Sequence, residues 1–371
     1  MSSVLLKKQD EIQTESGSAR AGTTTMIQSS DGFPLVVEHF SSNPSRPLDM
    51  PPIVLCPGFG GNRFNFDLDE RHSLARYLAD EGFDVWIAEL RGYGRSKPKS
   101  GLLKARMPSW NMDDHIEKDV PAILKAITTL SGYSRVMWMG HSLGGMVAYC
   151  VLARHPQYAR FFSGLITIGS PAHVEREMGR LLLPAAILFL RVLRKRGTVS
   201  IRPLARIVCS STGRRIGLTR FWRRWANPKN VDQTAVAGTV RLGLESLSLG
   251  TLYQWLNSMR VGSLLNYDGS FDYFNNIEKI DIPVLLISGT DDRIAPAHTI
   301  RAVFDRVRSE DKTLRVFGEQ GMELIHDSSP APCYDSVDYG HEDLLIGEAN
   351  RSEVFPYIAK WLRQHAESES A

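Results

Sequence analysis

The chain has 371 residues, of which 43% are hydrophobic and 23% charged, and its formal net charge is +3. This composition predicts a protein with a substantial core and excludes a chain too polar to fold. The small net charge argues against nucleic acid as a partner, and the four cysteines lack the spacing of metal ligands. The longest apolar run, 181–190, is far shorter than the roughly 20 residues of a transmembrane helix, so we expect no membrane span.

At the amino end, residues 1–25 are polar and rich in serine and threonine, which predicts a disordered leader without a signal peptide. Asp31-Gly32 then separates two short extended runs, 24–27 and 35–40, and this arrangement predicts a β-hairpin. We therefore expect the folded core to begin at residue 26.

From residue 53 onward, short apolar runs alternate with amphipathic helical segments. The predicted strands are 53–55, 85–89, 136–139, 165–168, 284–287 and 313–317. The predicted helices are 73–81, 113–129, 143–155, one that begins near 297, and 353–366. This alternation predicts an α/β fold with a mostly parallel central sheet flanked by helices. Because it stops between 170 and 280, we expect a core of 26–169 and 281–371 with a helical cap insertion of 170–280.

The segment Gly140-His-Ser142-Leu-Gly144 has the G-x-S-x-G pattern of a nucleophile elbow. In such an elbow the serine sits in a strained turn between a strand and a helix, so its neighbours two residues away must lack side chains. The bare pattern is a weak signal. Here a predicted strand precedes it and a helical pattern follows it, and this context indicates that Ser142 is a catalytic nucleophile.

A serine nucleophile needs a base, and the base needs an orienting carboxylate. Asp291 and Asp292 follow the predicted strand 284–287, and His341 lies in a glycine-flanked loop before the last helix. The order serine, acid, histidine is the one that this type of fold uses. His326 is the nearest competitor as the base.

Four motifs together resemble the α/β-hydrolase superfamily of serine esterases and lipases. They are the elbow at Ser142 and the segments 57–62 (PGFGGN), 89–96 (ELRGYGRS) and 339–343 (YGHED). Within the superfamily the chain is most similar to the acid-lipase branch and to the related polyhydroxyalkanoate synthases. The synthases use cysteine where this chain has Ser142, so the serine favours hydrolysis over polymerisation.

The resemblance implies Ser142 as nucleophile, His341 as base and Asp292 as acid, with Asp291 as the alternative acid. It also implies that the backbone N–H groups of Phe59 and Leu143 form the oxyanion hole. No metal or organic cofactor is required by this chemistry. The implied activity is hydrolysis of carboxylic esters. An acyltransferase or thioesterase, including one related to polyhydroxyalkanoates, and a non-catalytic binding protein are the alternatives.

The insertion is both basic and apolar. Between Arg176 and Lys229 it has fourteen lysines and arginines and one acidic residue. We expect the apolar side chains to line a substrate pocket, and the candidates are Leu182, Leu183, Leu188 and Phe189. Such a pocket favours esters with a medium or long acyl chain, and the basic residues suggest peripheral contact with anionic lipid as an alternative role.

The remaining signals concern the compartment and the structural residues. Cys56 and Cys150 fall within apolar segments and are expected to be buried, reduced thiols, which favours a cytoplasmic protein. The run Asp113-Asp114-His115 resembles metal ligands in type, but it begins a predicted helix, so we interpret it as a helix cap. His141 is expected to pack beneath the elbow, and 318–337 is interpreted as a loop at the pocket entrance.

Overall fold

The computed structural model describes residues 7–8, 22–98, 109–173, 197–209, 223–326 and 328–367. The strands on the amino side of the insertion are β1 (Lys7–Lys8), β2 (Thr23–Gln28), β3 (Pro34–Phe40), β4 (Ile53–Cys56), β5 (Val85–Glu89), β6 (Val136–His141) and β7 (Phe162–Ile168). The later ones are β8 (Thr198–Ser200), β9 (Ser246–Ser248), β10 (Val284–Gly289), β11 (Lys312–Phe317), β12 (Gly321–Ile325) and β13 (Ala331–Cys333).

The α-helices are α1 (Leu74–Asp80), α2 (Met112–Asp114), α3 (Val120–Ser131), α4 (Leu143–Arg154), α5 (Arg202–Cys209), α6 (Gln233–Gly238), α7 (Leu249–Val261), α8 (Ala297–Arg306), α9 (Asp343–Ile346) and α10 (Val354–Glu367). A π-helical segment, His115–Asp119, joins α2 to α3, and a second one, Thr239–Gly243, follows α6. Short 3₁₀ helices are Arg63–Asn65, Pro156–Phe161 and Phe274–Lys279.

Eleven of the described strands form one sheet in the order β1-β2-β3-β5-β4-β6-β7-β10-β11-β12-β13. The six central strands, from β5 to β11, are parallel to one another, whereas both edges of the sheet are antiparallel. The predicted α/β architecture is therefore confirmed. Because the central strands are parallel, the loops after β4, β6 and β10 meet at the same carboxyl edge, where open sheets of this kind place their active sites.

The sheet has a hydrophobic core on each face, because side chains alternate along every strand. On β4, Val54 and Cys56 belong to the core that α3, α4 and α8 cover. Ile53 and Leu55 belong to the opposite core, which α1 and α10 cover. With α4 buried along nearly its whole length, the elbow at its amino end is held by tertiary packing.

Most predicted elements are confirmed to within a few residues. The hairpin is the antiparallel pair of β2 and β3, and Gly32 has the positive φ of 77° that its turn requires. The interpretation of 318–337 as a loop is wrong. This segment contains β12 and β13, which continue the sheet beyond β11. These strands have only five and three residues and lie among proline and serine, so their hydrophobic pattern is too short to recognise.

The described part of the insertion contains α5, α6 and α7 and also a small antiparallel ribbon of β8 and β9, which the sequence analysis did not predict. The run at 113–115 does begin a helix, and Asn111 and Asp114 form its capping box. Asp113 has a different role from the cap that was expected. Its carboxylate accepts hydrogen bonds from Tyr267 and Gln254 of the insertion. His115 pairs with Asp119 inside the same helical stretch at 2.8 Å.

Candidate active site

The turn after β6 holds Ser142 in a strained backbone conformation. Its φ of 50° and ψ of −117° lie in a region that residues other than glycine rarely occupy. A Cβ added at Gly140 would overlap the backbone of Gly144 and Gly145, and one added at Gly144 would overlap the backbone oxygen of Cys56. The two glycines of the motif are therefore needed because the strand, the turn and α4 pack backbone against backbone.

His341 and Asp292 form a buried hydrogen-bonded pair. His341 Nδ1 lies 2.8 Å from Asp292 Oδ2, and both side chains are almost fully shielded from solvent. Asp292 Oδ1 accepts hydrogen bonds from the backbone N–H groups of Ile294 and Ala295, which fixes the carboxylate. Since the acid engages Nδ1, Nε2 is the ring nitrogen that remains for a reacting partner.

The alternative acid and bases lie in other environments. Asp291 is partly exposed and pairs with Arg293 at 2.8 Å. His326 is exposed and follows β12, next to the edge of the sheet that is remote from β6. His141 is buried beneath the elbow, and its Nε2–H donates to the backbone oxygen of His341 at 3.2 Å. The structure thus brings His341 to Asp292 and not to Asp291.

The pKa values of the two buried histidines, His341 and His141, are shifted in opposite directions. Burial disfavours the charged form of His341, but the facing Asp292 carboxylate outweighs this effect and raises its pKa. For His141, burial and the positive charge of His341 lower the pKa well below the usual range. His141 is therefore neutral, and its Nδ1 is an acceptor that has no partner within the described part of the chain.

Phe59 and Leu143, to which the resemblance assigns the oxyanion hole, both line the cavity that contains Ser142. Leu143 is the first residue of α4, so its N–H has no acceptor within the helix. Gly58 packs on the elbow so closely that a Cβ there would lie 3.2 Å from Ser142 Cβ. Asn65 Oδ1 accepts the Gly58 N–H at 3.3 Å and thereby helps to fix this loop.

Ser142 and His341 line one cavity of about 290 Å³ at the carboxyl edge of the sheet, and its wall is mainly apolar. The described part of the insertion contributes large and medium apolar side chains, namely Ile201, Leu244, Leu247, Trp225 and Trp255. The predicted pocket residues Leu182, Leu183, Leu188 and Phe189 lie outside the described residues. Their role stays a prediction.

A buried polar clamp, which sequence reasoning missed, joins the insertion to the loop that carries Phe59. The Glu245 carboxylate accepts from Asn62 Nδ2 at 2.9 Å and from Lys97 Nζ at 2.6 Å. The backbone N–H of Glu245 also donates to the Gly60 carbonyl at 2.7 Å. Asn62, the last residue of the 57–62 motif, is the only part of this clamp that the sequence motifs include. Its partner Glu245 lies 183 residues away, so local patterns could not connect the two.

Glu342 and Asp343 follow His341 in the 339–343 motif. Asp343 is buried and accepts the backbone N–H groups of Gly340 and Asn227, so it ties the histidine loop to the insertion. Burial raises its pKa to about 7. Glu342 lines the cavity itself, and its backbone N–H donates to the Trp225 carbonyl at 2.8 Å.

Comparison with known proteins finds similarity to proteins of the α/β-hydrolase fold, lipases and esterases among them. A family model described as the α/β hydrolase fold matches residues 51–195. Human lipase member K is 23% identical over 357 residues, which cover 89% of this chain and 84% of that protein. Human lysosomal acid lipase/cholesteryl ester hydrolase is 26% identical over 155 residues, which cover 40% of this chain and 39% of that protein.

Solved structures with the same fold include an esterase from Thermogutta terrifontis and a monoacylglycerol lipase from Paleococcus ferrophilus. The first has a TM-score of 0.58 at 17% identity and covers 93% of this chain and 99% of its own. The second has a TM-score of 0.56 at 18% identity and covers 89% of this chain and 99% of its own. The resemblance found in the sequence motifs is therefore confirmed: the chain has the α/β-hydrolase fold, and the proteins it is similar to include lipases and esterases.

Proposed function

We propose that this α/β hydrolase cleaves carboxylic esters through an acyl-enzyme on Ser142, with His341 as general base and Asp292 as its orienting acid. The observation that carries the proposal is that the proposed reacting groups come together in one place. A serine in a strained turn and a histidine bonded to a buried carboxylate line the same apolar cavity. The lipases and esterases among its relatives act on the same class of bond.

In the proposed reaction, His341 Nε2 takes the proton of the Ser142 hydroxyl as its oxygen attacks the ester carbonyl. The carbonyl oxygen becomes negatively charged and is held by the backbone N–H groups of Phe59 and Leu143. The imidazolium, stabilised by Asp292, then gives its proton to the departing alkoxide, which leaves as an alcohol. A water molecule that His341 deprotonates releases the acyl group as a carboxylic acid and restores Ser142.

The proposed substrate is an ester with a medium or long acyl chain. Ile201, Leu247 and Trp255 supply apolar lining to the cavity that Ser142 and His341 share, and burying an alkyl chain against such a lining is favourable by about 0.8 kcal/mol per methylene. We propose that 170–280 acts as a cap, so that the core supplies the chemistry and the cap supplies the acyl-binding surface.

Labelling with a fluorophosphonate probe tests the proposed class. The wild-type protein should form a covalent adduct at Ser142, and the Ser142→Ala variant should not. If the wild type does not react, both the nucleophile and the hydrolytic mechanism are wrong. Hydrolysis of p-nitrophenyl esters of increasing chain length then tests the substrate. Activity on acetate alone would exclude the acyl-chain proposal.

We further propose that the insertion makes peripheral contact with anionic lipid and that the protein acts in the cytoplasm. Arg223 and Arg224 are exposed directly beside Trp225, which lines the cavity. Cys56 and Cys150 are buried free thiols, which suits a reducing compartment. Among the described helices, none combines the length and apolarity needed to cross a bilayer. Binding to anionic vesicles that weakens with added salt would support the contact, and salt-insensitive or absent binding would contradict it.

A further inference from the structure

Glu342 is the one carboxylic acid among the described residues that line the cavity. Its Oε2 atom is buried and has no hydrogen-bond partner within the described part of the chain. Its backbone is fixed by the bond to the Trp225 carbonyl and by its neighbour His341. Burial raises its pKa against the opposing attraction of His341. One oxygen of a carboxyl group next in the chain to the proposed base is thus left without a hydrogen-bond partner in the described part of the fold.

Other polar atoms of the cavity share this property. The hydroxyls of Thr239 and Thr251 belong to lining residues, are buried, and have no partner among the described residues. Buried polar atoms are nearly always hydrogen-bonded in folded proteins, because leaving them unpaired costs roughly 1–3 kcal/mol each in protein cores. A purely apolar acyl chain would leave all of these groups unsatisfied. The wall therefore fits a ligand that is apolar for most of its length and polar near the reacting centre.

We propose that Glu342 is a specificity-determining residue that hydrogen-bonds a hydroxyl group of the substrate close to the scissile ester. This inference rests on the proposed ester hydrolysis and names the substrate class as hydroxylated esters. Glu342, His341 and Ser142 line the same cavity of about 290 Å³, so a substrate whose ester reaches Ser142 also brings its neighbouring groups into the space that Glu342 lines.

A hydroxyl group matches this position better than an ammonium group. It can donate to the carboxylate and also accept from the protonated acid, so either form of Glu342 has a partner. An ammonium group can only donate, and its transfer into an apolar cavity is much more costly. The hydroxyl can belong to the acyl part or to the alcohol part of the ester, and the experiment separates these sources.

The test compares three hexanoate esters that differ only in their hydroxyl groups. Propyl hexanoate has none, propyl 3-hydroxyhexanoate has one on the acyl chain, and glycerol 1-monohexanoate has two on the three-carbon alcohol. With the wild-type protein, one hydroxylated ester should exceed propyl hexanoate in kcat/KM by about 10- to 100-fold. Which of the two does so identifies the side on which the hydroxyl is bound. Equal kcat/KM values for all three esters would overturn the proposal.

Two variants then assign the preference to Glu342. Both Glu342→Leu and Glu342→Gln remove the negative charge beside His341, but only glutamine can still hydrogen-bond a hydroxyl. The preference should fall to within about twofold of unity in Glu342→Leu and should be largely retained in Glu342→Gln. A preference for the hydroxylated ester that survives in Glu342→Leu contradicts the assignment. A Glu342→Leu variant that is more thermally stable than the wild type but keeps the same preference contradicts it as well.

The outcomes are distinguishable from failure of the proposed function. Fluorophosphonate labelling of each variant shows whether the variant is folded and its Ser142 reactive, independently of the ester used. If the wild type does not label, the ester-hydrolase proposal itself has failed. If it labels but does not discriminate among the three esters, only the role of Glu342 is wrong.

Discussion

The two walls of the cavity are built in different ways. The wall at the carboxyl edge of the sheet carries Ser142 and His341, which is hydrogen-bonded to Asp292, and each of these three residues follows a strand or precedes a helix of the core. The other wall comes from the insertion and is lined by apolar side chains such as Leu247 and Trp255. This difference suggests that the sheet edge determines which bond is cleaved and the insertion determines which substrate is accepted.

If this division holds, changes in the sheet wall should lower kcat for all esters alike, and changes in the other wall should alter the choice among them. Asp292→Asn is the strongest test. The asparagine can no longer stabilise the imidazolium or hold the required tautomer, so kcat should fall by roughly 10³- to 10⁴-fold. Kinetics on short and long esters should show the same loss. Asp291→Asn is the matched control and should change kcat by less than a few-fold, and the reverse pattern would assign the acid to Asp291.

Glu245→Ala tests the clamp that connects the two walls. It removes one of the two acceptors of Asn62 Nδ2, which keeps the Leu242 carbonyl, and it removes the acceptor of Lys97, so the loop that carries Phe59 should be held less firmly. We expect kcat to fall by about 10- to 100-fold, because small displacements of a catalytic group are costly. Glu245→Gln keeps an acceptor for Asn62 and should lose less. Unchanged kcat in Glu245→Ala, measured on protein of normal thermal stability, would show that the loop does not depend on the clamp.

Trp255→Ala tests the insertion wall alone. Removing this side chain takes apolar surface from the cavity without touching the reacting groups, so kcat/KM for a decanoate ester should fall by about tenfold. The value for an acetate ester should change much less. An equal loss on both esters would mean that Trp255 supports the reacting groups and that the two walls are not independent.

The pH dependence gives the smallest expected effect. Because the pKa of His341 is raised, the neutral form that can accept a proton is lost as the pH falls through a value above the usual imidazole pKa of about 6.5. The acid limb of kcat/KM should therefore lie above that value in the wild type. In Asp292→Asn the main attraction that opposes the effect of burial on the His341 pKa is lost, so the limb should move to lower pH. A limb that does not move would indicate that another group titrates.

Particular residues show how far sequence reasoning reaches. The elbow could be predicted because its strand, glycines and helix are consecutive in the chain and each is specified by local patterns. The choice between Asp291 and Asp292 could not be made from spacing, since both follow β10. It depends on how two distant loops pair, as when the Asp291 N–H donates to the Tyr339 carbonyl at 2.9 Å and leaves Asp292 to face His341.

The residues that line the cavity, in contrast, could not be predicted from local patterns in the sequence. Apolar composition predicts a pocket wall at 182–189, whereas the described wall includes Leu247 and Trp255 together with Ile201, which lies more than 40 residues earlier in the chain. Glu342 had no distinguishing local signal, because an acidic residue beside a histidine is exposed in most chains and only its burial here makes it unusual. The same holds for Glu245, whose partners are distant in the sequence.

By itself, then, the sequence determined the α/β fold, the position of the strained serine and the order of its partners, because period-two and helical patterns, glycines and motif spacing act over neighbouring residues. Tertiary structure decided which carboxylate meets His341, which side chains face the substrate and which polar groups are left unpaired. Those outcomes depend on burial and on contacts between loops that the chain brings together only when the sheet, its two cores and the insertion have assembled.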